Sequence, residues 1–213
     1  MERIAKQLLV CILFGLMTGC ISAKSYVDPS YGKVKYEDLS RRTEPFRWKL
    51  VVEFMRNGSR LPTADAEVFG HVERVIRAAG IIPVTEVNAP ELKVIVNNVA
   101  DNGAAVGKGF GTGMTFGLVG STVTDNYEME VVLTDGNKVL RKSGYKHAIH
   151  TTVGNASGPQ GLEPMSVTAA FGKVVEQLLL NALKEIEADK TSNIFKLPYN
   201  HGVILALSVG QII

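Results

Sequence analysis

The chain has 213 residues, a formal net charge of +2 and two cysteines, Cys11 and Cys20. That length suffices for one domain with a substantial core and does not require a second, while so small a charge supplies no excess of cations to hold nucleic acid. Neither cysteine falls within the body of the chain, so no disulfide and no cysteine-based metal site is expected there.

The first twenty residues predict an address. Arg3 and Lys6 precede a short apolar run, Leu8 to Met17, which closes on Thr18 and Gly19 immediately before Cys20. This is the order of parts in a secretory signal, and the run is shorter than the ~20 residues of a membrane span. Leu16-Met17-Thr18-Gly19-Cys20 resembles the lipobox of bacterial lipoprotein precursors, with Met17 where Leu or Val is more usual. The resemblance implies that residues 1–19 are removed and that Cys20 is acylated. It also implies the periplasmic face of the outer membrane, because Ile21 stands where an inner-membrane retention signal would have Asp. Removal would leave 213 − 19 = 194 residues and, without Glu2, Arg3 and Lys6, a charge near +1.

Residues 20–45 carry Ser, Pro, Gly and tyrosines at 26, 31 and 36 with no sustained period, which predicts a lipid anchor and tether. From Phe46 the pattern changes. Phe46, Trp48, Leu50, Val52 and Phe54 alternate with Arg47, Lys49, Val51 and Glu53, predicting a strand that ends at Asn57-Gly58-Ser59. Thr63 is the expected cap of a helix with Val68, Phe69, Val72, Val75, Ile76 and Ala79 on one stripe and Gly80 as its stop. Leu92 to Val99 predicts a second strand. Tyr127 to Thr134 and a return within Val139 to Val153 predict a hairpin through Asp135-Gly136-Asn137, with Gly144 bending the return. A Gly/Pro loop, Asn155 to Pro164, precedes a helix from Ser166 to Ala188 whose expected inner face is Val167, Phe171, Val174, Leu178, Ala182 and Ile186.

These elements predict an α+β domain over residues 46–188: a mainly antiparallel four-stranded sheet, in the order β-α-β, insert, β-β-α, covered on one face by two helices. In element order it resembles the small modules of several periplasmic lipoproteins, among them the N-terminal module of the Tol-system propeller protein and the curli secretion lipoprotein. That likeness rests on no shared motif and carries no residue across. A tail at 189–213 follows, with an apolar run from Gly202 to Gly210.

The familiar chemical motifs fail on spacing. A phosphate loop around Lys108 would need Gly where Asn102 stands and Ser or Thr where Gly109 stands, and the dinucleotide fingerprint would need Gly in place of Thr112. His147 and His150 are an odd number apart on a predicted strand and point to opposite faces, so they cannot share a metal. No cofactor and no metal are therefore expected. Glu128 and Glu130 share a strand face that would serve acid–base chemistry if it lined a cleft, but such alternation is more often the solvated side of a sheet.

One insert, residues 103–123, stands apart. Its 16 residues between Lys108 and Asp125 carry no charge. As a strand it sets Phe110, Met114, Phe116 and Leu118 opposite Gly109, Gly113 and Gly117. As a helix, the same three glycines form a stripe for close helix contact in a membrane. Either way, so many large apolar side chains predict a contact with bilayer or protein. The sequence thus predicts a non-enzymatic, lipid-anchored envelope protein that touches the membrane through Cys20 and a partner or its own copies through the insert. The alternatives are a membrane-inserting oligomeric export or pore assembly using the insert, and a small-ligand binder or enzyme on the Glu128/Glu130 face.

Overall fold

The computed structural model describes residues 23–100 and 121–189. Its framework is a mixed seven-stranded sheet: β1 (Ala23–Val27), β2 (Phe46–Arg56), β3 (Ser59–Arg60), β4 (Ile81–Pro83), β5 (Glu91–Ala100), β6 (Ser121–Asp135) and β7 (Lys138–Val153). The order is β1-β7-β6-β5-β2-β3, with β4 also pairing to β2. Two helices, α1 (Asp65–Ala78) and α2 (Val167–Ala188), complete the described fold. This corrects the expected four-stranded, mainly antiparallel sheet. β2 and β5 run parallel, because the crossover through α1 returns the chain in the same direction. The three additional strands are short: five residues in β1, two in β3 and three in β4. None is long enough to establish a period.

Alternation decides the faces. Trp48, Val52 and Phe54 of β2, Leu92, Val94 and Val96 of β5, and Met129, Val131 and Leu133 of β6 form one core with Val68, Val72 and Ile76 of α1 and Val174, Leu178 and Leu183 of α2. Ser166 caps α2, its Oγ accepting the Ala169 N–H at 3.2 Å. Thr63 is not the cap of α1; it lies inside a 3-10 turn, Pro62–Ala64, that leads into the helix. Gly144 adopts φ +90° beside the point where the β6–β7 register shifts, between Met129 and Val131, so this glycine does mark a bulge.

Residues 23–45 belong to the folded body. After β1, the chain crosses the helical layer as a strap. The Gly32 carbonyl accepts from Asn181 Nδ2 at 3.3 Å, Val34 and Leu39 join the core, and the Ser40 N–H donates to Glu187 at 2.8 Å. Arg42 ends the strap, paired with Glu187 and set over the ring of Phe46 at 4.9 Å. The sheet, α1 and the strap together cover α2, which buries Val175, Leu179 and Leu180 as well as its sheet-facing side: a helix apolar on most of its surface needs cover on more than one side.

Both sheet edges are blunted, which suppresses edge-to-edge pairing. Met165 bridges β1 through two backbone bonds of 2.9 Å to Ser25. β2 is covered at one end by β4 and at the other by β3, and the Asp65 carboxylate accepts the Phe54 N–H at 2.8 Å.

Candidate functional site at one end of the sheet

Strand register brings three features to one end of the molecule. Ala23, where the described chain begins, pairs with Val153, and Ser121, where the chain resumes after the insert, pairs with Val153 from the other side. Two strand spacings, roughly 9–10 Å, therefore separate them. Ala100, the last described residue before the insert, pairs with Asp125 on the same end of β6. The third feature is the β2–β3 turn. Asn57 and Gly58 both have positive φ, 50° and 77°, as a two-residue hairpin turn of this hand requires. The Asn57 N–H donates to the Asn98 carbonyl at 2.8 Å and the Gly58 N–H to Asn97 Oδ1 at 3.0 Å.

Beneath this end, on the helical side, sits a polar and aromatic cluster. Asn98 is buried at a position whose parity continues Leu92, Val94 and Val96. Its Nδ2 donates to Asp125 Oδ1 at 3.3 Å. Burial, together with the negative charge of Asp125, pushes the neighbouring Tyr127 phenol well above its usual range, so it is a neutral hydrogen-bonding group and not a base. Tyr127 packs on Phe171 with ring centres 5.3 Å apart, and Phe171 meets Phe54 and His71 edge-on at 6.1 and 5.6 Å. Gly172 is the residue that admits His71: a Cβ there would lie 2.7 Å from the imidazole. The cluster is a closed, internally bonded wall, and it fixes the end of the sheet from which the insert departs.

The opposite face of the sheet is ionic. Glu128 pairs with Lys146 at 3.1 Å and Glu130 with Arg141; Lys93 pairs with Glu53 at 2.9 Å and Lys49 with Glu91 at 3.3 Å. Cations thus occupy the two carboxylates of the alternative reading, which form cross-strand pairs of the solvated kind. Towards the insert end, the same face carries a hydrogen-bonded line from β6 through β7 to the residue that follows β1. Thr124 Oγ1 lies 3.0 Å from His150 Nδ1, and His150 Nε2 lies 3.2 Å from Asp28 Oδ2. Asp28 is fixed by the Ser30 N–H at 2.8 Å. A carboxylate orienting an imidazole that accepts from a hydroxyl is the arrangement that polarises that hydroxyl. His147, on the helical face, is buried beneath Tyr31 with ring centres 4.9 Å apart. Among the described residues, no group of three His, Cys, Asp or Glu is placed to hold a metal ion, and no helix is long and apolar enough to cross a membrane.

Cys20 and the contact residues Gly109, Phe110, Gly113, Met114, Phe116, Gly117 and Leu118 lie outside the described residues. Two constellations were missed in the sequence. Asn98–Asp125–Tyr127 had one legible signal, a polar residue at a core-parity position of β5. Asp28–His150–Thr124 had none, since residues 122 apart in sequence meet only through the β1–β7 pairing.

No family model and no curated protein matches the chain. Among solved structures it is similar to a PelC dodecamer from Paraburkholderia phytofirmans, at 14% identity, with 75% of this chain and 95% of that one covered and a TM-score of 0.34. It is also similar to a DUF4136 family protein from Bacteroides thetaiotaomicron, at 12% identity, with 78% and 97% covered and a TM-score of 0.31.

Proposed function

We propose that this is a non-catalytic binding or assembly module of the bacterial envelope, anchored by acylated Cys20 to the periplasmic face of the outer membrane. One observation supports the reading above the others: the described chain begins, and the Gly-rich insert departs, at the same end of the sheet. Cys20 precedes Ala23 by three residues, a reach of about 10 Å at full extension. A lipid on Cys20 therefore draws that end of the sheet to the bilayer surface and brings the insert with it. The insert, with Gly109, Gly113 and Gly117 among large apolar residues, then has lipid or a neighbouring protein within reach, so a membrane-inserting oligomeric assembly is the nearest alternative. A detergent-stable ring distinguishes that alternative from a monomeric module.

The enzyme or ligand-binder reading draws its one favourable observation from Thr124–His150–Asp28, since Glu128 and Glu130 are engaged in ion pairs.

Cys20→Ser tests the anchor. The variant is expected to leave the membrane fraction of disrupted envelopes or to accumulate as an uncut precursor. Unchanged processing with unchanged membrane retention contradicts the proposal.

A further inference from the structure

Both faces of one stretch of β7 grip the start of the strap. On the outer face, His150 Nε2 meets Asp28 Oδ2 at 3.2 Å. On the helical face, the His147 ring lies under Tyr31, tilted by 28° with centres 4.9 Å apart. His147 is 1% exposed. Its Nδ1 lies 2.9 Å from the Ala148 nitrogen and 3.3 Å from the Ala148 oxygen, accepting from the first when bare or donating to the second when protonated. Nε2 is buried and has no hydrogen-bond partner among the described residues. A ring protonated on both nitrogens satisfies Nδ1 at the Ala148 carbonyl but sits buried with an unsatisfied donor at Nε2.

From this geometry we infer that residues 29–34 are an acid-released latch, pinned to β7 by the Tyr31–His147 stack and hinged at Asp28. Burial, the largest influence on His147, holds the imidazole below its ordinary range; the Ala148 carbonyl and the charge of Asp28 favour its protonation, and Lys33 opposes it. Strand β6 presents the neutral phenol of Tyr127 as its cross-strand neighbour. Helix α2, which also packs on β7, directs Glu185 to Tyr145 and Lys142, and Glu176 to Lys173.

The sign follows. His147 is neutral when the latch is closed and takes up a proton more readily when it is open, so closure is favoured above the ordinary histidine range and weakens as pH falls through it. The hinge holds. Burial raises the Asp28 carboxyl, but the Ser30 N–H and His150 together hold it below its ordinary range, so it stays ionised in mild acid. Mild acid therefore lifts residues 29–34 while β1 stays paired.

Nuclear Overhauser contacts between the Tyr31 and His147 rings of the full-length chain, followed from pH 7.5 to 5.5, test this. They should be lost as pH falls below about 6.5, while those between Tyr127 and Phe171 persist. His147→Phe keeps a stacking ring and cannot take up a proton, so its contacts with Tyr31 should not vary with pH. Ring contacts that persist at pH 5.5 in the wild type, or an undiminished acid loss in His147→Phe, overturn the inference. Should that variant fail to fold, the wild-type imidazole resonance decides: titration of His147 without opening of the strap also overturns it.

Discussion

Leu179→Ala is expected to lower the unfolding free energy by about 2–5 kcal/mol, as large-to-small changes at closed core sites do. Leu179 has no exposed surface and belongs to the single core cluster. It sits on a helix packed against the sheet, α1 and the strap, so no neighbouring side can collapse inward without disturbing another layer. Val87, 88% exposed, provides the control: Val87→Ala should change stability by less than about 0.5 kcal/mol. Urea denaturation of both variants gives the comparison. A small effect at Leu179 would mean that the layers around α2 relax into the space it leaves.

A second large effect should appear on acidification. Burial, then the nearby positive charge of Arg74, holds the His71 imidazole below its ordinary range. Unfolding releases both influences, so below about pH 6.5 the unfolded chain binds a proton that the folded chain does not. Stability is therefore full above that pH and declines as pH falls, by up to about 1.4 kcal/mol per pH unit for this one site. His71→Gln, which cannot titrate, should reduce the slope of unfolding free energy against pH by up to one proton over pH 7.0 to 5.5. An unchanged slope would place His71 in a solvated setting, contrary to its wedge between Phe171 and Gly172.

What could be read from sequence was what a period carries. Phe46 to Phe54 alternates because one face meets the helices and the other meets water, and β2 follows. The hairpin at Asp135–Asn137 was legible for the same reason, with Gly136 at φ +55° in its turn. Short strands were not legible. Ala23–Val27 has no alternation of its own and exists because β7, paired to β6 on one side, offers it the free backbone edge of Ile149 to Val153 on the other. β4 contains Pro83 and is held by three parallel partners in β2. Missing these strands meant missing the strap, although α2 carried its trace. Leu178, Leu179 and Leu180 are consecutive and all buried, which a helix with one apolar stripe cannot provide. Val167, expected on the inner face, is instead 50% exposed at the first turn. The site shows the same division. Parity in β5 pointed to Asn98, whereas Asp28 and His150 needed the tertiary pairing to meet.

The proposed anchor at Cys20 would turn the end of the sheet bearing Ala23 and the insert towards the membrane. The other end carries the Gly136 turn and the C-terminus of α2, where Lys142 binds Asp189 at 2.9 Å; α2, with 22 residues, spans about 33 Å between the two ends. Asn155 follows the end of β7 beside Ala23, Asn137 lies in the distant turn, and both are exposed. The most direct measurement labels Asn155→Cys and Asn137→Cys, one at a time, with a fluorophore in the full-length lipidated protein on vesicles carrying a headgroup quencher. The account predicts strong quenching at residue 155 and little at residue 137. Equal quenching at both, or the reverse order, contradicts it.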